Sequence, residues 1–414
     1  MGNLARTIVV SGYYGYNNSG DEAVLHAIVT ALRAEARETG VEADIVVLSG
    51  DPAATARLHG VKAAHRMRPL AVLGALLRAD ALVSGGGSLL QDVTSAKSMA
   101  YYLAVIRMAL LLRKPVYVYA QGIGPIRNRD RFGPWIRSAF RASRYVSVRD
   151  EESKALLEAI GVPAERVEVV PDPVMGLGDA QAAAAGTAIG ASAARDGASS
   201  AGAGSVRDGR GPSDGDASVS PERSERESAR PSPRIGVSVR YWREDRQELE
   251  TIAQALAAVI RREPAARVEL LPFHLPSDRE ASAYVAERMA AHGVPRERVA
   301  VHSGTEHPAH MLEAVSSCDA VVGMRLHSLI YAAAAGVPPI GVSYDPKIDQ
   351  FLKRLGETPA GSTDELKADE LAEAVLLRLG EDKRVWYRSK ATKIEEMRHN
   401  ARKPAQQIFR DLRI

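Results

Sequence analysis

Short β-branched runs alternate with longer amphipathic segments along most of this 414-residue chain. "TIVVSG" leads into "DEAVLHAIVTALRAEARE". "ADIVVLS", "ADALVSGGG", "PVYVYAQGIG", "RYVSVRD" and "VEVVPDPV" then follow, with helical segments among them. The apolar runs are short and unbroken, as in strands buried on both faces. Such alternation predicts a parallel α/β sheet with helices on both sides. The pattern occurs twice. It restarts at "RIGVSVR" and continues through "RVELLPFH", "VAVHSG", "AVVGMR" and "PPIGVSYD". The chain is longer than one core usually organises, so two domains are expected.

Between the two patterns the composition changes. From about Ala180 to Pro233 the chain is mostly Ala, Gly, Ser, Pro, Arg, Asp and Glu, with no aromatic residue. Such a segment cannot bury enough apolar surface to offset its ordering entropy, and a disordered linker or insertion is expected. The expected organisation is a first domain over 1–179, the linker over 180–233, a second domain over 234–380, and C-terminal helices over 381–414 packing across both. Two doubly wound domains in series bring their strand C-termini around a shared cleft, where ligands of such sheets bind.

Several classes of function are excluded. The formal net charge is only +3, without the basic stripe that nucleic acid requires. The single cysteine, Cys318, rules out an internal disulfide or a cysteine metal cluster, and reads as a small buried hydrophobe. No H-x-x-x-H or clustered carboxylate spacing suggests a metal. No G-x-S-x-G elbow is present. The N-terminus reads as a first strand, not a signal peptide. Apolar stretches such as "YYLAVIRMALLL" fall short of the roughly 18 residues of a membrane span. A cytoplasmic protein is expected.

The strand C-terminal ends carry the candidate chemistry. In "SGYYGYNNSGDEAVL", Gly12, Gly15 and Gly20 permit a tight loop, and Asn18 or Ser19 can cap the next helix. The spacing is not G-x-G-x-x-G. Asp21 and Glu22 in the first helical turn would compete with a phosphate there; they suit sugar hydroxyls, or simply the helix dipole. "VSGGGSLLQD" offers three glycines that admit a ligand or form a bare turn, and "YAQGIGPI" places Gln121 before another turn. Arg149 in "YVSVRDEES" ends a buried strand, either to bind an anion or to pair with Asp150, Glu151 or Glu152. In the second half, "GMRLHS" and "VSYDPK" bring Arg325, His327 and Lys347 to neighbouring strand ends. With Arg149 across the cleft, they would form a cationic pocket with one group that titrates near neutrality. The other histidines, such as His26 and His59, read as ordinary core or surface residues.

Taken together, "GYNNSGDEAVL", "SGGGSLLQD", "AQGIGP", "VRDEES", "PDPV" and "GMRLHSLIYAAAAGVPPIGVSYDPK" resemble the polysaccharide pyruvyl transferase family, close to its CsaB branch. The resemblance covers both α/β domains. It implies a GT-B-like fold of two Rossmann-like domains facing a cleft, acceptor on the first side and donor on the second. It implies transfer of the enolpyruvyl unit of phosphoenolpyruvate to a sugar as a pyruvate ketal. For the CsaB type the sugar is N-acetylmannosamine of a lipid-linked secondary cell wall polymer precursor, and the ketal helps anchor surface-layer proteins. The family's donor residues fall on Arg149, Arg325, Leu326 and Lys347, with His327 as acid/base. Acceptor contacts are expected from Asn18, Asp21, Gln91 and Asp92. No metal or cofactor is expected.

A lipid-linked acceptor would bring the protein to the membrane surface. Lys383, Arg384, Arg388, Lys390, Lys393 and Arg398, interleaved with Trp386 and Tyr387, could form a membrane-facing patch; a helix packing back across the domains is the favoured reading. Two other functions fit the same pattern: a nucleotide-sugar glycosyltransferase and a non-catalytic protein closing on a small anion.

Overall fold

A computed structural model describes residues 5–16, 18–92, 96–177, 232–303 and 307–412. The expected linker lies outside the described residues apart from its last two. The first sheet comprises β1 (Arg6–Ser11), β2 (Ala43–Ser49), β3 (Lys62–His65), β4 (Ala81–Gly85), β5 (Val116–Gln121), β6 (Tyr145–Val148) and β7 (Val167–Val169). Its helices are α1 (Ser19–Thr39), α2 (Pro52–His59), α3 (Pro69–Arg78), α4 (Ala96–Leu111), α5 (Arg129–Ala142) and α6 (Glu151–Ala159). The second sheet comprises β8 (Arg234–Ser238), β9 (Arg267–Leu270), β10 (Val299–Val301), β11 (Ala320–Gly323), β12 (Pro339–Ser343) and β13 (Gly361–Ser362). It carries α7 (Gln247–Arg262), α8 (Ser277–Ala291), α9 (Pro308–Ser316), α10 (Leu326–Ala334), α11 (Pro346–Leu355) and α12 (Ala368–Gly380), and α13 (Lys383–Leu412) comes last.

All strand pairs are parallel. The orders are β3-β2-β1-β4-β5-β6-β7 and β10-β9-β8-β11-β12-β13. Both are doubly wound, with the direction of winding reversing between β1 and β4 and between β8 and β11, where such sheets open a crevice. The unbroken apolar runs have the burial expected of them: Ile8, Val9 and Val10 in β1 and Val116 and Val118 in β5 are fully buried. Helix α1 starts where Asn18 accepts the Gly20 N–H at 3.1 Å, and ends at Gly40, whose φ of 67° suits glycine.

The two halves meet edge to edge. The Ser19 N–H donates to the Phe273 carbonyl at 3.1 Å, beside an isolated antiparallel bridge between Asn18 and His274. Helix α13 then spans the junction. At its start, Lys383 donates to the carbonyls of Ser316 (3.1 Å) and Cys318 (2.8 Å) under the second sheet. Towards its end, the Tyr119 hydroxyl donates to Ala401 O at 3.1 Å, and Tyr117 (3.1 Å) and Arg144 (3.0 Å) both bond Asp411. Ile408 and Phe409 are fully buried in a core shared by residues of both halves.

This packing takes up part of the basic stretch that a membrane-facing patch would need. Trp386 is buried and donates to Glu357 at 2.9 Å, and Lys390 bonds the same carboxylate at 2.9 Å. Arg398 is buried and donates to the Ala334 carbonyl at 2.7 Å. Only Arg384, Arg388 and Lys393 of the named cations are exposed. Among the described residues, no helix is long and apolar enough to cross a membrane. Cys318 is fully buried, and burial pushes its thiol up to about 12.

Phe409→Ala should cost about 3–5 kcal/mol, because it opens a cavity where α13 packs into the shared core. Chemical denaturation monitored by circular dichroism measures the loss.

Candidate active site

The two crevices face one another across a cavity of about 180 Å³. Its second-domain wall begins where β11 gives way to α10. Arg325 is the helix N-cap residue but makes no side-chain cap, so the guanidinium is available for other partners. It forms a two-pronged bond to Asp278, with Nε donating to Oδ2 at 2.9 Å. Asp278 is fully buried in the first turn of α8 and also accepts the His274 N–H at 2.9 Å. Arg325 is thereby held rigidly, a fork fixed from behind with its remaining surface on the cavity. Leu326 lines the cavity beside it. Lys347, in the first turn of α11, reaches the cavity from the next strand end and lies 3.8 Å from Asp345. The amino ends of α10 and α11 both abut this space, which adds to its preference for anions.

His327 comes next in the first turn of α10, with about 20 % of its side chain exposed. Its Nε2 points to Asp172 Oδ2 at 3.8 Å and makes no hydrogen bond among the described residues. Its Nδ1 rests on helix α1: a side chain at Gly20 would put its first carbon 2.5 Å from that nitrogen. Gly20 is glycine because an imidazole from the other domain occupies its side-chain space. Burial lowers the His327 pKa below the ordinary imidazole value, the Asp172 charge opposes this, and Arg149 and Arg325 reinforce it.

The first-domain wall contains Arg149, just beyond β6 and 7 % exposed. It donates to Ser88 Oγ at 3.1 Å and to Asp172 at 3.4 Å, with Asp150 at 3.7 Å. The local pairing with Asp150 is thus present, while Glu151 and Glu152 are exposed helix-start residues. Asp172 also accepts the Val174 N–H at 3.1 Å, fixing the turn after β7.

Asn18 and Asp21 line the same cavity. The glycine triplet explains Asp21's position. First side-chain carbons at Gly85, Gly86 and Gly87 would lie 2.6 Å from Tyr119 Cβ, 2.0 Å from Val24 and 2.6 Å from Asp21 Oδ1, respectively. Gly86 and Gly87 let α1 settle on the strand ends, while Gly85 admits Tyr119 of β5. Burial raises the Asp21 carboxyl to about 7; Glu22 and Asp172 add to the shift, and Arg149 and Asn18 oppose it. Glu22 itself turns inward, accepting from Gly15 N at 2.7 Å and lying 3.0 Å from His59.

Gln91 lines an adjoining cavity, and Gln121 is buried at the end of β5. Asp92 is engaged elsewhere: its carboxylate accepts the Arg127 (2.6 Å) and Asn128 (2.8 Å) N–H groups and staples that loop. The structure therefore gathers Arg149, Arg325, Leu326, His327, Lys347, Asn18 and Asp21, and leaves Asp92 outside the cavity lining. It adds Asp172 and Asp278, which sequence reasoning did not single out. The proline-flanked "PDPV" was the one visible signal of Asp172. Away from the cavity, His26, His59 and His307 form a cluster with ring centroids 5.1–6.4 Å apart. Among the described residues, no group of His, Cys, Asp or Glu is placed to hold a metal.

The family model for polysaccharide pyruvyl transferase matches residues 18–346. The chain belongs to the polysaccharide pyruvyl transferase family. The match spans every cavity residue up to the start of α11, with Lys347 one position beyond it. A comparison with curated proteins finds no match. Solved structures share the fold. A putative UDP-N-acetylglucosamine 2-epimerase from Listeria monocytogenes superposes with a TM-score of 0.59 at 11% identity, over 98% of this chain and 95% of that one. UDP-GlcNAc 2-epimerase from Neisseria meningitidis, bound to UDP-GlcNAc, gives 0.57 at 11% identity over 99% of both chains. The Methanocaldococcus jannaschii enzyme gives 0.56 at 12% identity, over 92% and 94%. At this identity the likeness concerns fold alone: this pyruvyl transferase family member has the GT-B arrangement of two facing α/β domains.

The raised Asp21 pKa has a stability consequence. Folding lifts it from 3.8 to about 7, so the folded chain binds the extra proton. The resulting stability is full below 3.8 and is lost as pH rises through about 7. Asp21→Asn should therefore raise the thermal midpoint relative to wild type at pH 8. The gap should close towards pH 4, as scanning calorimetry across that range would show.

Proposed function

We propose that this protein transfers the enolpyruvyl unit of phosphoenolpyruvate to two hydroxyls of one sugar, forming a pyruvate ketal and releasing phosphate. The observation that carries this reading is the cavity's construction. Arg149, Arg325 and Lys347 line it together with two helix amino ends and His327, and His274 stands on the same wall. Phosphoenolpyruvate is a small anion with a carboxylate and a phosphate, each suited to a guanidinium fork.

The chemistry follows from the arrangement. A proton from His327 adds to the methylene carbon, and the adjacent carbon becomes oxocarbenium-like. Arg149 and Arg325 hold the carboxylate and phosphate while charge redistributes. Lys347 steadies the phosphate, and Leu326 packs against the donor. A sugar hydroxyl attacks, the carbon–oxygen bond to phosphate breaks, and a second hydroxyl closes the ketal. Of the two hydroxyl protons, one replaces the proton spent on the methyl group and one leaves with phosphate. Each step is served by side chains, without metal or cofactor. Its lowered pKa leaves His327 neutral when the cavity is empty. A bound phosphate would favour the imidazolium, so donor binding itself brings in the proton.

The CsaB-like motifs support a finer reading. The acceptor would be N-acetylmannosamine of a lipid-linked secondary cell wall polymer precursor, and the product would serve surface-layer anchoring. The protein would work in the cytoplasm and meet the membrane surface transiently through its acceptor. A nucleotide-sugar glycosyltransferase on the same fold would release nucleoside diphosphate instead.

The test is product analysis with phosphoenolpyruvate and a disaccharide carrying terminal N-acetylmannosamine, scored by phosphate release and mass gain. His327→Ala should lower turnover by about 10²–10⁴-fold and leave the phosphoenolpyruvate Kd within a few-fold. Near-normal turnover would defeat the role given to His327. Calorimetric titration of wild type in buffers of different ionisation enthalpy should show proton uptake on donor binding near pH 7.

A further inference from the structure

A second cavity, of about 420 Å³, adjoins the first and shares Asn18, Asp21 and Ser88 with it. It is more than twice as large. Its character is different: Tyr13, Gln91 and Tyr102 complete much of its wall, and none of the described residues lining it is basic. A phosphate has no counter-charge there, and Asp21 would repel one.

The aromatic wall is unusually well supported. Tyr13 is 38% exposed and stacks on Tyr16 with ring centroids 4.5 Å apart and planes 14° from parallel. Beneath them lies Arg66, 5% exposed. Its guanidinium is 5.9 Å from the Tyr13 ring and 5.5 Å from Tyr16, and 4.4 Å and 5.0 Å from Tyr101 and Tyr102. It also donates to the Gly12 carbonyl at 2.9 Å. One buried cation thus fixes four tyrosine rings. A rigid, partly exposed ring above a floor of amide, hydroxyl and carboxyl groups matches a pyranose, which offers an apolar face and a rim of hydroxyls.

We propose that this second cavity is the acceptor sugar site, with the pyranose lying on Tyr13 and Asp21 acting as base at the junction of the two cavities. The assignment rests on the pyruvyl-transfer reading above and adds to it a site, a stacking residue and a catalytic base. As the attacking hydroxyl oxygen bonds to the central carbon of the donor, its proton passes to the Asp21 carboxylate. The second hydroxyl then displaces phosphate, which departs with the carbon–oxygen electron pair and takes up that hydroxyl's proton. Asp21 returns its proton to His327, which has lost one to the methyl group. Asp21's pKa of about 7 suits a group that must both take and release a proton near neutrality.

The test measures sugar binding and donor binding separately on the full chain. Saturation-transfer NMR with methyl glycosides of N-acetylmannosamine, N-acetylglucosamine and galactose reports the sugar; calorimetry reports phosphoenolpyruvate. At least one glycoside should receive saturation from wild type. Tyr13→Ala should abolish that transfer or raise the acceptor KM about tenfold, with the phosphoenolpyruvate Kd within twofold. Tyr13→Leu, which keeps apolar bulk without a ring, should behave likewise and decides the matter if the alanine variant fails to fold. Asp21→Asn should retain both ligands and lose at least 100-fold in kcat. Failure of every glycoside on wild type, or unchanged sugar binding and KM in the folded Tyr13 variant, overturns the sugar site. Full kcat in Asp21→Asn overturns the base. Glycoside binding at Tyr13 without phosphoenolpyruvate binding supports the sugar site and overturns the donor assignment instead.

Discussion

Asp172 stands between Arg149 of the first domain and His327 of the second, and much of the cleft is arranged around that one carboxylate. It is 4% exposed. A charge so placed costs several kcal/mol unless partners replace its lost water. Arg149 supplies a counter-charge, the Val174 N–H a hydrogen bond, and the His327 ring a group that can become positive. The same carboxylate raises Asp21 and opposes the lowering of His327. One buried charge therefore pushes two proton-exchanging groups upward together. Arg149 opposes it at both. In the proposed reaction, environment rather than residue type would assign their tasks.

The geometry depends equally on close approach. Helix α1 touches His327 through Gly20 and the strand ends through the contacts that Gly86 and Gly87 leave open. A helix that could not come so near would leave Asp21 short of the junction between the cavities. The long helix α13 acts on the same joint from behind. It is fastened to the second sheet at Lys383 and to the first at Tyr119 and Asp411, so separating the domains would expose the core they share. Rigidity at the hinge side leaves the cleft side to hold its groups in register.

Local pattern made the two sheets and their strand ends readable. Buried parallel strands are short unbroken apolar runs, and the residues after each run must lie at the cleft. Spacing alone could therefore assign Arg149, Arg325, His327 and Lys347 to the cleft, where the structure has them. β3 was missed because Lys62–His65 is a four-residue edge strand containing two alanines, and β13 has only two residues. Asp278 was invisible for another reason: an acid in a helix's first turn looks like ordinary dipole chemistry, and only the fold brings Arg325 to it. The use the structure makes of Asp92 could not be read locally, since its backbone partners lie 35 and 36 residues away. The C-terminal helix was favoured to pack across the domains, but which of its cations are used up in doing so shows only once the carbonyls and Glu357 that receive them are in view.

For the proposed reaction, two adjoining cavities of opposite character would solve a problem that a single pocket would not. A donor with two anionic groups needs cations, whereas an acceptor hydroxyl needs a base, and a base among cations loses its affinity for protons. Here Arg325 and Lys347 lie on the second-domain side, while Asp21 faces both spaces from the first. On the proposed reading, the donor's negative charge would offset the pull of Arg149 on Asp21 and of both arginines on His327. Both groups would then bind protons more tightly. The order of events follows from this. His327 would be better charged for its proposed first step once donor is present, and Asp21 would be a stronger base once the arginines are occupied. Donor before acceptor is thus the sequence that the proposed reaction would favour.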